Sequence, residues 1–382
     1  MRGESKQRLP ALDGLRAYAA LVVIVYHTIL LFDHGLIQRV LLKTLWQVDA
    51  SDIWAKAWLS TFNGAAAVEL FFLLSGCVLV RSLDTAKGTW LSVSAAFAIK
   101  RALRIYPGLI PCVAVTAAVT PSALTWGNIA GNMALWNFDV VGPSWTLQVE
   151  MLAIPLLLIV SMVHRSWGVR GVVVALIVAL VARKNQEMFV APLLGQYGYL
   201  FILGALVPSR VGSLTASLAR PVGWIPVVVA FVFLRQCLGG MDLPTAALGF
   251  VLLALLYHDD KAAKAPVLIS RVPQFLGKMS FGIYLWNVPF LHMPYLLPQG
   301  AVVSRCRNGG AHLCRGHRSR EYFARHAQLS VPRSAWHCAR NASDKPLGFW
   351  LASSLSAGSG KLMCLKIAGR RAARSNFRKV SG

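Results

Sequence analysis

Long apolar stretches separated by short polar segments set the rhythm of this chain. Nine stretches approach the twenty or so mostly apolar residues that a membrane-crossing helix needs. They run roughly over 11–32, 62–80, 105–120, 145–163, 171–182, 188–207, 221–234, 243–257 and 279–297. Lipid offers no partner to a backbone N–H or C=O, so a spanning segment must be a helix or part of a closed barrel. Strand-like alternation is missing, and helices are expected. The pattern predicts an all-α fold, a polytopic transmembrane bundle of about nine spans.

The first stretch has the outline of a signal peptide, with Arg2, Lys6 and Arg8 ahead of an apolar core. No small-residue cleavage site follows Phe32, and Asp13, Arg16 and His27 interrupt the core. An uncleaved first span with its N-terminus inside is expected.

Composition strengthens this picture. The chain is 56% hydrophobic and 14% charged, against about 25% charged residues in a soluble domain. It lacks the polar surface to face water on all sides. The net charge is +24. Because the basic residues of the body fall between apolar runs, they point to lipid headgroups rather than nucleic acid. With the N-terminus inside, the short inner segments of the body hold sixteen Lys and Arg and the outer ones six, the asymmetry expected of cytoplasmic loops. On this topology the longest outer loops are 33–61 and 121–144. Cys77, Cys112 and Cys237 lie in apolar stretches and are expected to be buried small hydrophobes; the seven cysteines show no framework spacing. No metal site is expected.

Ionisable residues within spans are costly and become functional candidates. Arg16 and His27 are eleven residues apart. On an α-helix that is a rotation of about 20° and a rise of about 16 Å, so both project from one face. Asp13 precedes them at a plausible N-cap position. The bland readings are an arginine snorkelling to headgroups and a histidine bonding a neighbouring helix. Glu150 lies in Pro143-Ser-Trp-Thr-Leu-Gln-Val-Glu150, at the outer end of the fourth stretch. It must be protonated, paired or turned to a cavity. Glu69 is a weaker candidate, near an outer end where water can reach it. Arg101 and Arg104, just before the third stretch, share a helical face. They suit a bidentate grip on phosphate, or serve as an ordinary topology signal.

Together these residues resemble the acyltransferase-3 family. Leu12-Asp-Gly-Leu-Arg16 through His27 resembles its Arg-x10-His motif, and Phe71-Phe-Leu-Leu-Ser-Gly76 its second-span signature. Arg101-Ala-Leu-Arg-Ile-Tyr-Pro107, Trp145-Thr-Leu-Gln-Val-Glu150 and Ser280-Phe-Gly-Ile-Tyr-Leu-Trp286 are similar to three further motifs, all in the family's order. The family usually has His after the last Trp; here Asn287 stands there, and no catalytic role is carried to it. The resemblance implies a bundle of about ten helices, hence nine to ten spans, in the bacterial cytoplasmic (inner) membrane. It implies transfer of an acyl group, often acetyl, from cytoplasmic acyl-coenzyme A as donor substrate to a hydroxyl of a glycan or lipid-linked sugar acceptor. In that reading His27 is the general base. Arg16 stabilises negative charge or holds the donor, and Glu150 orients His27 or binds the acceptor. Arg101 and Arg104 bind the phosphates of coenzyme A. The alternative is a proton-coupled transporter or glycan flippase using Arg16, His27 and Glu150, against which stands the lack of internal self-similarity. A third reading is a non-catalytic product of a damaged gene.

Near Gln299 the composition changes abruptly, dividing the chain into a transmembrane domain, 1–298, and a basic tail, 299–382. The tail carries sixteen Lys and Arg against two acids and no window that could span a membrane. A shifted reading frame produces such a break; a disordered basic arm is the alternative. If the frame is shifted, another frame of the gene beyond codon 299 encodes an apolar stretch of about 20 residues, and resequencing that finds none in either other frame refutes the shift.

Overall fold

The computed structural model describes residues 9–32, 36, 39–40, 43–119, 124–185, 191–238 and 242–292. The chain divides into two units, Met1–Val331 and Pro332–Gly382, and every described residue belongs to the first. The basic tail lies outside the described residues.

The described residues are helical and contain no strand. Helix α1 is Pro10–Phe32, α2 is Ile53–Thr61, α3 is Gly64–Asp84 and α4 is Trp90–Val119. A short α5, Trp126–Met133, precedes α6, Trp145–Lys184. Then come α7, Pro192–Ala205, α8, Arg210–Ala219, α9, Trp224–Leu238, and α10, Asp242–His258. Single turns α11, Asp260–Ala263, and α12, Pro266–Ile269, lead to α13, Arg271–His292.

Four segments are long and apolar enough to cross a membrane: Pro10–Ile29, Ala50–Asp84, Trp90–Val119 and Gly142–Lys184. A fifth arises if α7 and α8, bent by 79° at their junction, count as one. The described part of the chain is therefore all-helical and of membrane type. Each of the nine apolar stretches falls mainly on helix where described, but helices of full spanning length do not account for nine to ten crossings.

Several sequence boundaries move. The first helix begins at Pro10, whose missing N–H is harmless in an opening turn. Asp13 is therefore inside the helix rather than capping it, and it pairs with Arg16 at 3.5 Å. Helix α4 starts fifteen residues ahead of the apolar stretch at 105, so Arg101 and Arg104 lie well inside a helix. The fourth and fifth stretches belong to α6, whose two arms meet at Gly168, with φ 61° and ψ −152°. Only glycine adopts that backbone readily. A Cβ on Gly171 would contact the Val163 side chain, although eight residues along a straight helix rise about 12 Å. The chain thus folds back on itself at Gly168, and α6 is a helical hairpin.

Two seams hold the bundle tightly. Gly76 of α3 lies against the carbonyl of Phe201 in α7, and Gly204 of α7 lies against the carbonyl of Leu73 in α3; any Cβ at either position would overlap backbone. Small residues let helices approach closely where no hydrophobic force distinguishes neighbour from lipid. Gly277 of α13 meets the Asp13 carbonyl of α1 in the same way, and α1 and α13 pack along each other.

The segment 124–144, expected as an outer loop, packs its later part against the bundle. Asn132, Val141 and Ser144 are fully buried. Asn132 Nδ2 donates to Ser144 Oγ at 2.7 Å, and its Oδ1 accepts from the Val141 N–H at 2.7 Å. Leu135, Val140 and Val141 join a core with Ile105, Leu109 and Val113 of α4 and Leu285 and Val288 of α13. The start of α6 is thereby drawn into the bundle.

In the other expected outer loop, α2 buries a lysine beside Leu59 and exposes two tryptophans. Lys56 is 1% exposed and its Nζ donates to the carbonyls of Val40 at 3.1 Å and Lys43 at 2.6 Å. Trp54 and Trp58, one turn apart, are 86% and 62% exposed. Glu69, expected within reach of water, is buried in α3.

Replacing Gly204 by Leu should force α3 and α7 apart and cost about 3 kcal/mol by overpacking. Thermal unfolding of purified protein in detergent should show a lower midpoint, with a smaller loss for Gly204→Ala. An unchanged midpoint for Gly204→Leu would contradict the close crossing.

Candidate active site

Five helices wall one pocket. It is lined by Arg16 of α1, Phe71, Phe72 and Ser75 of α3, Arg104 of α4, Thr146 and Glu150 of α6, and Ser280 and Tyr284 of α13, among others. Each of the five motifs thus contributes at least one lining residue, although they are scattered over more than 260 positions of the chain.

The charged groups form pairs. Arg101 Nη1 donates to Glu150 Oε1 at 2.9 Å, and both side chains are largely buried. The sequence placed these two on opposite sides of the membrane; the structure puts them in contact. The inward fold of 124–144 and the early start of α4 are the reason. Arg16 is held by Asp13 at 3.5 Å. Arg104 is exposed at the pocket, and among the described residues no carboxylate pairs with it.

His27 is not one of the pocket-lining residues. The face it shares with Arg16 is turned towards α13, and its Nδ1 lies 3.2 Å from Asn287 Oδ1. Glu150, one of its expected partners, is engaged with Arg101 instead. The structure therefore brings Arg16, Arg101, Arg104 and Glu150 together and sets His27 further along α1.

Sequence reasoning passed over Thr146, Ser280, Tyr284 and the partnership of Asn287. Thr146 Oγ1 donates to the Tyr284 hydroxyl at 3.0 Å, and that hydroxyl donates to the Pro143 carbonyl at 3.1 Å. The available signal was spacing: Ser280, Tyr284 and Asn287 fall at i, i+4 and i+7, a polar stripe along one face of α13. Gln148 has a supporting task in the same motif. Its Nε2 donates to the Leu135 carbonyl at 2.7 Å, where Leu135 takes a left-handed backbone, φ 59°, at the end of α5.

Removing one partner of a buried ion pair leaves the other uncompensated, at about 3–5 kcal/mol. Arg101→Gln and Glu150→Gln should each lower the thermal midpoint, and Arg101→Met with Glu150→Leu should recover most of the loss. If the double variant lost the sum of the two single effects, the groups would not be coupled.

Residues 9–296 of the 382 match the family model of the acyltransferase-3 group, described as an acyltransferase domain. No curated protein and no solved structure matches the chain. The match covers well over half of the chain and agrees with the family that the five motifs resemble. It favours the enzyme over the transporter reading: the chain belongs to the acyltransferase-3 family, and it is an acyltransferase.

Proposed function

We propose that the protein is a membrane-bound O-acyltransferase that moves an acyl group, acetyl foremost, from cytoplasmic acyl-coenzyme A to a hydroxyl of a glycan or lipid-linked sugar. In this reading its N-terminus is inside and its membrane is the bacterial inner membrane. The observation that carries it is the convergence of all five motifs on one pocket, with Arg104 exposed there and without a carboxylate partner among the described residues. A guanidinium presented in that way suits a phosphate. Arg104 and Arg16 hold the phosphates of the donor, and Arg101 is kept in place beside them by Glu150.

The extended pantetheine arm of coenzyme A carries its thioester away from its phosphates. That arrangement matches the rise of about 16 Å from Arg16 to His27 along α1. At that separation Arg16 cannot serve a carbonyl reacting beside His27, so of its two expected roles the donor-holding one fits. The acceptor hydroxyl is a poor nucleophile until a base takes its proton. His27 takes that proton as the hydroxyl oxygen attacks the thioester carbonyl. The new C–O bond forms, the C–S bond breaks, and the proton passes to the departing thiolate, leaving free coenzyme A.

Two variants separate the donor site from the base. Arg104→Gln should weaken acyl-coenzyme A binding by roughly 10–100-fold, as for loss of a hydrogen bond to a charged group, with a smaller effect on turnover at saturating donor. His27→Ala should leave donor binding intact and lower turnover by about 10²–10⁴-fold. Unchanged donor affinity in Arg104→Gln would return that arginine to lipid headgroups, and near-normal turnover in His27→Ala would end the assignment of the base.

A further inference from the structure

The partner of His27 comes from the far end of the described chain. Asn287 is 260 residues away in sequence, buried in α13, with its Oδ1 3.2 Å from His27 Nδ1. The other end of the same amide decides what this contact means. Asn287 Nδ2 donates to the carbonyl of Tyr284 at 2.8 Å. A carbonyl oxygen only accepts, so the NH₂ must face it; the reversed amide would set oxygen against oxygen. The orientation of the amide is therefore chemically determined, and Oδ1 is the atom presented to His27.

An amide oxygen also only accepts, so His27 Nδ1 must be the donor. A neutral imidazole carries one N–H and one bare nitrogen. With the proton on Nδ1, the lone pair is on Nε2. Among the described residues no other hydrogen bond to the His27 ring is present. Tyr284, which anchors the amide, is itself pinned through its hydroxyl to Thr146 and Pro143. The amide thus stands on a rigid support shared with the pocket wall.

We propose that Asn287 is a positioning residue that holds His27 as the Nδ1–H tautomer and leaves Nε2 bare to receive the proton of the acceptor hydroxyl. The tautomer and its cause stand on the geometry alone; its use in catalysis rests on the function proposed above. A second ring nitrogen fixed by a hydrogen bond is the usual means of choosing which nitrogen of a histidine reacts.

The test is the ¹⁵N spectrum of histidine-labelled full-length protein in lipid bilayers, with the His27 signals identified by their loss in His27→Gln. At a pH where the ring is neutral, Nδ1 should appear as the protonated nitrogen and Nε2 as the bare one. A protonated Nε2, or an even mixture of tautomers, overturns the proposal in the unmodified protein, with no variant having to fold. Asn287→Leu, where it folds, should release the preference, lower kcat by about 10-fold or more within the range that a general base supplies, and leave the donor KM unchanged. An unaltered tautomer in that variant would also overturn the proposal. If the tautomer is as expected while His27→Ala keeps its turnover, the clamp stands and the catalytic reading of His27 falls, so the two failures are distinguishable.

Discussion

Charge enclosed among apolar helices is the constraint on which this structure turns. Arg101 and Glu150 are both largely buried and meet at 2.9 Å. Neither is tolerable there alone, since the desolvation of one ion is offset only by a well-placed opposite charge. Their contact requires that α4 run past Arg101 and that α6 begin deep in the bundle. The inward fold of 124–144 meets the second requirement, and the buried bonds of Asn132 to Ser144 and Val141 make that fold possible by satisfying its polar groups.

Further polar contacts serve the helix ends. Arg165, beside the hairpin turn of α6, donates to the last turn of α3 at the Leu83 carbonyl, 3.1 Å away, and lies over the Trp90 ring at the start of α4. His258, closing α10, bonds the Val207 carbonyl after α7 at 2.7 Å, and Arg220 pairs with Asp259 at 3.3 Å. Arg183, at the other end of the second arm of α6, pairs with Asp242 at the start of α10 at 2.6 Å. Terminal carbonyls that a helix cannot satisfy internally are thus met by side chains from neighbouring helices. These contacts and the glycine seams leave little freedom in how α1, α3, α6 and α13 surround the pocket.

The site divides along α1. Towards one end, guanidinium groups of Arg16 and Arg104 border a pocket with Glu150; towards the other, His27 is held by Asn287. The two parts are joined through Tyr284, whose hydroxyl meets Thr146 in the pocket wall and whose carbonyl receives the Asn287 amide. A small change at Tyr284 would therefore reach both the pocket bordered by the guanidinium groups and the imidazole.

The sequence by itself determined the helical class, the membrane character and the family, because hydrophobic run length and short motifs are local properties of the chain. It also pointed to Arg16, Arg101, Arg104 and Glu150, since ionisable residues in apolar runs stand out without a structure. Only the tertiary structure decided which of them meet. Arg101 and Glu150 were assigned to opposite sides because run lengths show neither the early start of α4 nor the buried return of 124–144. The hairpin at Gly168 was visible as two stretches, yet the backbone that joins them was not. Asn287 looked like the loss of a histidine from a motif, and its contact with His27 depends on two helices 260 residues apart in sequence packing side by side. The physical reason is common to these cases. Polarity along a chain says which groups cannot face lipid, but the partner each one finds depends on helix depth and crossing, and those are set by close packing and by buried hydrogen bonds between distant segments.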